Sequence, residues 1–156
     1  MATHVLFSDP THFQLDRLLL SALSRDASVQ WPAPANKGVV NVGDRVYIFR
    51  LPGAGPAGIV ALGRVVTAAE FVLDEQPHLW MQRPTGPQWR IRLDISNLRL
   101  GPESGMLERE SLMKSRAVVA SGILRPSPPP LVKLTFEQSE ELNKLWKRAA
   151  VTTPME

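Results

Sequence analysis

The sequence predicts an α+β fold in which a small, barrel-like sheet carries flanking helices. Apolar and polar residues alternate from Trp89 to Ile95, which is the two-residue period of a strand. The runs Arg45–Leu51 and Ile59–Val66 flank a glycine-rich stretch and indicate an antiparallel hairpin. Helical periodicity follows an opening strand and recurs at the end of the chain. A strand, a helix, several antiparallel strands and a closing helix together predict this class of fold.

The two flanking helices and the opening strand each have a local signal. His4–Ser8 is a β-like run that an Asp-Pro turn closes. Thr11 is placed to cap the first helix, in which apolar residues recur at helical spacing. Near the other end, Thr135 precedes Phe136–Ala150, and Gln138 completes the pattern of a capping box. We therefore expect helices close to both ends.

The remaining segments define the domain organisation. Residues 67–88 are rich in proline and glycine and predict a loop. Met106–Ser115 predicts a polar helix, and Ala117–Ile123 predicts a strand or an extended segment. No internal repeat is present. We expect one domain over residues 1–150 and a flexible tail over residues 151–156.

Composition narrows the class of protein. The 156 residues are 44% hydrophobic and 21% charged, as in a soluble globular domain, and no apolar run approaches the length of a membrane span. The chain has no cysteine, which excludes disulfides and thiolate zinc sites and favours a cytoplasmic location. The spacing of His4, His12 and His78 fits no helical metal motif. We expect neither a metal nor a cofactor.

The charge is unevenly distributed along the chain. The net charge of the whole chain is +3, but residues 81–126 carry eight Lys or Arg against four Asp or Glu. Residues 1–80 carry six Lys or Arg against seven Asp or Glu. The middle third therefore predicts a basic face for a nucleic-acid partner, whereas ordinary solvated arginines are the alternative.

Signals for catalysis are weak. Gly53–Gly58 matches the G-x-G-x-x-G pattern, but strand residues follow it where a dinucleotide site requires a helix. Ser8-Asp9 with His12, and Asp74-Glu75 with His78, pair a histidine with a carboxylate without placing nucleophile, base and orienting group together. We therefore predict no enzyme and no catalytic residue.

The four tryptophans divide into two groups. Trp146 lies on an apolar helical stripe, and Trp89 shares a strand face with Ile91, so both are predicted in the core. Trp31 and Trp80 lie in proline-flanked segments, and prolines 32 and 34 place Trp31 in an irregular segment outside any periodic core. A half-exposed indole ring offers a flat surface on which a base stacks.

The order of several motifs resembles a known family. Val29-Gln30-Trp31, the Gly-Asp turn within Val42–Ile48, and the strand Gly58–Val65 (GIVALGRV) resemble the EVE domain. Met106–Lys114 and the segment LTFEQSEELNKLW at residues 134–146 are similar to the terminal parts of EVE-like modules joined to modification-dependent restriction enzymes. The EVE domain is a branch of the PUA-like superfamily and is related to YTH domains.

This resemblance implies a twisted PUA-like barrel with an aromatic pocket for a modified base. Trp31 matches the first wall of that pocket, and we place Trp80 as the second wall. Asn36 is positioned to hydrogen-bond the edge of the base, although an Asn that satisfies loop backbone is an equal alternative. A methyl group favours such a cage because it adds apolar surface.

The function that follows is non-catalytic reading of a flipped, methylated base, with DNA favoured over RNA and a fused or associated nuclease as partner. Phosphate contacts are assigned to five basic residues, namely Lys37, Arg83, Arg90, Lys114 and Arg116. Arg90 is expected in solvent because it points away from the Trp89 side of its strand. The alternatives are an RNA-binding PUA-like module, a small-molecule sensor or interaction module on the same barrel, and an unusual hydrolase.

Overall fold

A computed structural model describes residues 1–9, 15–25, 28–33, 40–53, 56–75, 79–81 and 86–150, with the backbone alone for residues 22–25 and 68. The strands in these ranges are β1 (Thr3–Ser8), β2 (Val29–Pro32), β3 (Arg45–Arg50), β4 (Gly58–Val72), β5 (Gln88–Leu98), β6 (Leu107–Glu108) and β7 (Leu131–Lys133). The helices are α1 (Leu15–Arg25), α2 (Arg109–Leu112), α3 (Arg116–Ala120) and α4 (Phe136–Arg148).

All seven of these strands form one mixed sheet. The order along the sheet is β2-β5-β4-β3-β1-β7, and β6 pairs with the start of β4. Strands β1 and β3 run parallel, and the other pairs are antiparallel. The sheet curls into a half-barrel with helices around it, which confirms the predicted α+β class. Strands β2 and β7 are its two edges, and the site described below lies between them.

Two hydrophobic cores cover the two faces of the sheet. Successive side chains of a strand point to opposite faces of the sheet. In β1 and β3, Leu6 and Ile48 therefore lie in the first core, and Val5 and Tyr47 lie in the second. The first core includes the apolar face of α1, and the second includes buried residues of α2, α3 and α4. These two layers separate the surroundings of the cavity from the C-terminal helices.

The second core contains a buried tyrosine and a buried arginine beside Trp146. Burial raises the pKa of Tyr47 to about 12, although the charges of Arg45 and Arg99 act in the opposite direction. The Tyr47 hydroxyl donates to Oδ1 of Asn143 in α4. The guanidinium of Arg99 lies 3.8 Å from the centre of the Trp146 ring, and burial lowers the pKa of Arg99. These contacts attach α4 to the sheet.

Several sequence predictions are confirmed. The opening strand and the hairpin of β3 and β4 are present, and the glycine-rich stretch leads into strand β4 rather than into a helix. Thr135 caps α4, and Gln138 completes the capping box. Trp146 is buried as predicted. The predicted cap at Thr11 and the tail at residues 151–156 lie outside the described residues.

Three segment predictions are wrong because tertiary pairing decided the outcome. Residues 67–72 were expected in a loop but extend β4, since they pair with the start of β5. Ala117–Ile123 was expected as a strand, yet Arg116–Ala120 is a helix capped by Ser115. Part of Met106–Ser115 is the short strand β6 before α2 begins. Local propensity was outweighed by strand pairing and by burial in the second core.

Trp89 is not in the core, contrary to the sequence prediction. Its side chain is 42% exposed, and its ring packs edge-on against Phe71, with centroids 5.5 Å apart. Strand β5 extends past the core at this end, so the alternation that buries Ile91 does not bury Trp89. Phe136 is likewise exposed on α4 rather than part of its buried stripe.

None of the helices in the described ranges is long and apolar enough to cross a lipid bilayer.

Candidate functional site

A cavity of about 330 Å³ opens between the two edges of the curled sheet. Strand β2 forms one side, and β1 with the start of β7 forms the other. Leu18 of α1 contributes apolar surface, and Asp74, Trp80 and Arg90 contribute polar groups. The volume lies at the lower end of the range of small-ligand pockets, about 300–1,000 Å³.

Trp31 lines this cavity, but it does so from a strand. It belongs to β2, pairs with Ile91 of β5, and is only 6% exposed within the first hydrophobic core. The prediction of an irregular segment outside the core is therefore wrong. Pro32 is tolerated because β2 is an edge strand, where a missing N–H costs no ladder hydrogen bond. Trp31 is both a core residue and a cavity wall.

Trp80 forms a second aromatic wall, and Asp74 fixes it. Trp80 is partly buried against the first core. Its Nε1 donates to Oδ2 of Asp74 at 2.9 Å. The hydrogen bond orients the indole ring, so the wall is positioned by a polar contact as well as by packing. The structure thus brings Trp31 and Trp80 to one cavity.

The loop after β4 carries Asp74, and Gln30 of β2 holds this loop. The side-chain amide of Gln30 donates to the carbonyl of Leu73 at 3.1 Å and accepts from the backbone N–H of Glu75 at 2.7 Å. Glu75 also pairs with Arg92 of β5. These contacts fix the residues on both sides of Asp74.

Arg90 lies inside the site rather than on the surface. It is 3% exposed, and its Nη2 lies 3.2 Å from Oδ2 of Asp74 and donates to Oε1 of Gln88 at 3.0 Å. Its guanidinium carbon is 5.8 Å from the centre of the Trp80 ring. Its Nε is buried and has no hydrogen-bond partner among the described residues. The prediction that Arg90 points into solvent is wrong, because the loop after β4 folds over it.

A second buried arginine holds the helix that lines the cavity. Arg50 donates through Nη1 to both carboxylate oxygens of Asp16 in α1, at 2.9 and 3.1 Å. It also donates to the carbonyls of Pro56 and Leu100 at 2.8–3.2 Å. A planar guanidinium suits such a multidentate contact. Arg50 therefore fixes α1, and with it Leu18, against the sheet.

His4 has a structural role at the other end of β1. Its Nε2 lies 2.9 Å from Oδ2 of Asp44, and both side chains are buried. Burial alone would raise the pKa of Asp44, but hydrogen bonds from the Asn41 N–H, His4 and the Ala2 N–H lower it overall. This pair joins the N-terminus to the turn before β3 and takes no part in the cavity. His12 and His78 lie outside the described residues.

Comparisons with known proteins identify the fold. No protein-family model matches the chain, and no curated protein matches it by sequence. Solved structures do match. A protein from Pseudomonas putida superposes with a TM-score of 0.66 at 20% identity, over 93% of this chain and 99% of that chain. The human THYN1 protein in complex with DNA containing 5-methylcytosine superposes with a TM-score of 0.61 at 14% identity. The match covers 99% of this chain and 100% of that chain.

A third solved structure shares the same fold. The YTH domain of Zygosaccharomyces rouxii MRB1, in complex with N6-methyladenosine RNA, superposes with a TM-score of 0.58 at 12% identity, over 99% of this chain and 88% of that chain. The chain has the PUA-like fold of EVE and YTH domains. The fold expected from the sequence motifs is therefore confirmed.

Among the described residues, the basic side chains of the middle third of the chain do not form one continuous face. Arg90 and Arg92 pair with acidic residues of the loop after β4, and Arg99 packs on Trp146. Lys114 and Arg116 are exposed, but they lie beside α2 and α3, which pack on the sheet face opposite the cavity. The prediction that Arg90, Arg92 and Arg99 belong to a basic face is therefore wrong.

Three predicted site residues, Asn36, Lys37 and Arg83, lie outside the described residues. Their roles at the base edge and at the phosphates therefore stay predictions.

Sequence reasoning missed the polar framework of the cavity. Gln30 was noted only as part of a family motif, and Asp74 only as a partner for His78. A signal for Gln30 existed, since a polar residue between Val29 and Trp31 on an edge strand must point away from the core. Asp74 gave no such signal, because its role depends on strand pairing that extends β4 beyond residue 66.

Proposed function

We propose that this protein is a non-catalytic reader of nucleic acid that holds a flipped, modified base in the cavity between β1 and β2. The observation that carries the proposal is the pair of tryptophans, Trp31 and Trp80, on one cavity of about 330 Å³. Indole rings bind the faces of a base by stacking, worth about 1–3 kcal/mol per base. A methyl group on the base adds apolar surface to bury against these walls.

The solved structures of similar fold support the same chemistry. Human THYN1 was solved with DNA containing 5-methylcytosine, and the MRB1 YTH domain with N6-methyladenosine RNA. Both structures hold nucleic acid that carries a methylated base, which supports a reading role here. We favour DNA over RNA, because the C-terminal motifs resemble modules of modification-dependent restriction enzymes. A fused or associated nuclease would then use this domain for targeting.

Contacts to the phosphate backbone belong outside the cavity. Three carboxylates line it, those of Asp9, Asp74 and Glu75, and like charge disfavours a phosphate beside them. We assign the phosphates to Lys37, Arg83, Lys114 and Arg116, of which Lys114 and Arg116 are exposed in the structure. Asn36 remains the candidate for hydrogen-bonding the base edge.

A small-molecule sensor on the same barrel is the second candidate function. The specific observation in its favour is the acidic lining of the cavity, which suits a free ligand without phosphates. The two functions differ in the ligand that binds more tightly. A reader binds an oligonucleotide better than the free modified nucleoside, because phosphate contacts add affinity. A sensor binds the free nucleoside or another small molecule equally well or better.

The experiment is a binding titration at low salt with fluorescently labelled oligonucleotides. Four probes are compared: DNA with and without one 5-methylcytosine, and RNA with and without one N6-methyladenosine. The variants are Trp80→Ala at the cavity wall and Trp89→Ala as the matched control, since Trp89 is exposed and does not line the cavity. Unlabelled nucleosides serve as competitors.

The proposal predicts tighter binding to one modified probe than to its unmodified partner. Trp80→Ala should lose at least about tenfold in affinity for that probe, by loss of stacking, while Trp89→Ala should retain it. Equal affinity for modified and unmodified probes, or no binding to any of them, would refute the proposed function. Preference for the RNA probe would establish the RNA-binding alternative.

A further inference from the structure

We propose that Arg90 reads the bound base directly, by donating a hydrogen bond from Nε–H to an acceptor on the edge of the base. The acceptor is a ring nitrogen or a carbonyl oxygen. This inference rests on the proposed function and adds to it a specificity-determining residue and the chemical group that this residue recognises. It also replaces the phosphate-binding role that the sequence predicted for Arg90.

The primary observation is a buried donor that has no partner among the described residues, on a side chain that lines the cavity. Arg90 lines the cavity and is 3% exposed, yet its Nε has no hydrogen-bond partner in the described part of the chain. A buried N–H without a partner is destabilising and rare in folded proteins. An acceptor on a bound ligand would satisfy it. The same donor would penalise a ligand that brings no acceptor to this position.

The direction of that donor is fixed by the rest of the guanidinium. Nη2 is held by the Asp74 carboxylate at 3.2 Å and by the Gln88 side chain at 3.0 Å. Because a guanidinium is a rigid plane with donors in fixed directions, holding Nη2 also restricts Nε. Asp74 is in turn set by the loop that Gln30 clamps. The donor is therefore preorganised before any ligand binds.

The position of Trp80 points to a base as the ligand. The guanidinium carbon lies 5.8 Å from the centre of the Trp80 ring, and one oxygen of Asp74 contacts both side chains. Because Trp80 and Arg90 both line the cavity, a base that contacts Trp80 there lies close to Arg90. The Arg90 charge is already paired with the Asp74 carboxylate at 3.2 Å, and a phosphate at this place would lie beside that carboxylate. A neutral acceptor on a base fits the electrostatics better.

The test is a double-mutant cycle between the protein and the base. The variant Arg90→Lys keeps a positive charge opposite Asp74 but removes the guanidinium and with it the Nε–H donor. The control variant Arg92→Lys changes the neighbouring arginine, which pairs with Glu75 and does not line the cavity. The probes carry the modified base that wild type prefers, and a series of analogues in which one acceptor atom at a time is replaced by C–H.

The inference predicts that one analogue binds wild type about tenfold more weakly, the usual effect of losing a hydrogen bond to a charged donor. The same analogue should cause no further loss in Arg90→Lys, whereas Arg92→Lys should respond like wild type. If no analogue binds wild type more weakly than the parent probe, the inference is wrong. This measurement needs only the wild-type protein, so it remains decisive where Arg90→Lys does not fold. Equal losses in wild type and Arg90→Lys also overturn it.

These outcomes are distinguishable from a failure of the proposed function. If wild type shows no preference for a modified probe, the reader function itself is wrong. If wild type shows the preference but no analogue couples to Arg90, the reader function stands and only the role of Arg90 is overturned.

Discussion

Trp80 and Arg90 meet at a single acceptor, the Oδ2 atom of Asp74. Trp80 donates to it from Nε1 at 2.9 Å, and Arg90 approaches it with Nη2 at 3.2 Å. One carboxylate therefore positions both an aromatic wall and a buried cation. Because Gln30 holds the backbone on both sides of Asp74, the edge strand β2 and the loop after β4 act as one unit at the cavity.

Removal of this carboxylate should destabilise the protein strongly. Asp74→Ala leaves the Arg90 charge buried without its acidic partner, which typically costs about 3–5 kcal/mol. Glu75→Ala is the matched control, since the Arg92–Glu75 pair is 31% and 50% exposed and should contribute less than about 1 kcal/mol. Urea denaturation of both variants measures the difference. Equal losses of unfolding free energy would show that Arg90 does not depend on Asp74.

Trp31→Ala should abolish modified-base binding and also destabilise the fold. The ring is 6% exposed in the first core, so its removal leaves a cavity that costs about 3–5 kcal/mol. This result differs from the sequence prediction, which placed the ring outside the core and expected an intact fold. Chemical denaturation measures the stability, and a titration of the folded variant measures binding. Wild-type stability of Trp31→Ala would contradict the burial of this ring.

Trp146→Ala is the reference for that experiment, because Trp146 is equally buried but lies in the second core. It should lose a similar free energy of unfolding, about 3–5 kcal/mol, yet keep its affinity for the modified probe where it remains folded. A loss of binding by both variants in proportion to their stability would mean that Trp31 acts only through the fold.

The sequence predicted the fold better than the surroundings of the cavity. Alternation at Ile91 and Ile95 and the capping box at Thr135 are local signals, and the structure confirms the strand and the helix that they predict. The pairing of residues 67–72 with the start of β5 has no local signal, because it depends on contacts across the hairpin. The loop that carries Asp74 depends on that pairing.

The candidate site was predictable by residue type but not by environment. Trp31 and Trp80 were both selected as cavity walls, and both line the cavity. The burial of Arg90 was not predictable from alternation, because it depends on the contact with Asp74 in the loop after β4. Ion pairs between β5 and this loop depend on the tertiary structure. A count of basic residues along the chain therefore does not predict them.

The stability of the protein should fall between about pH 10 and about 12 through Tyr47. The folded-state pKa of Tyr47 is raised by burial to about 12, above the usual value of 10.0. The unfolded chain therefore loses this proton first, and stability present below pH 10 is lost as the pH rises toward the folded pKa. In Tyr47→Phe this part of the decline should disappear. Denaturation of wild type and variant from pH 8 to 11.5 measures it, and parallel curves would contradict the prediction.

The salt dependence of binding should identify the phosphate contacts. Each lost contact lowers the slope of log K against log salt by about 0.9 for duplex DNA or 0.7 for a single strand. We expect the double variant Lys37→Ala/Arg83→Ala to lower the slope, because it removes two cations that are assigned to phosphate contacts. The same is predicted for Lys114→Ala/Arg116→Ala. Neither change should alter the ratio of affinities for modified and unmodified probes, since phosphate contacts carry no base information.

Lys114 and Arg116 make this experiment informative about the path of the nucleic acid. They lie beside the helices on the sheet face opposite the cavity. A reduced slope for Lys114→Ala/Arg116→Ala would therefore require a strand that passes around the edge of the sheet. An unchanged slope for that pair, with a reduced slope for Lys37→Ala/Arg83→Ala, would show that the phosphate contacts do not reach the face opposite the cavity. The predicted role of Lys114 and Arg116 would then be wrong, while the base-reading function would stand.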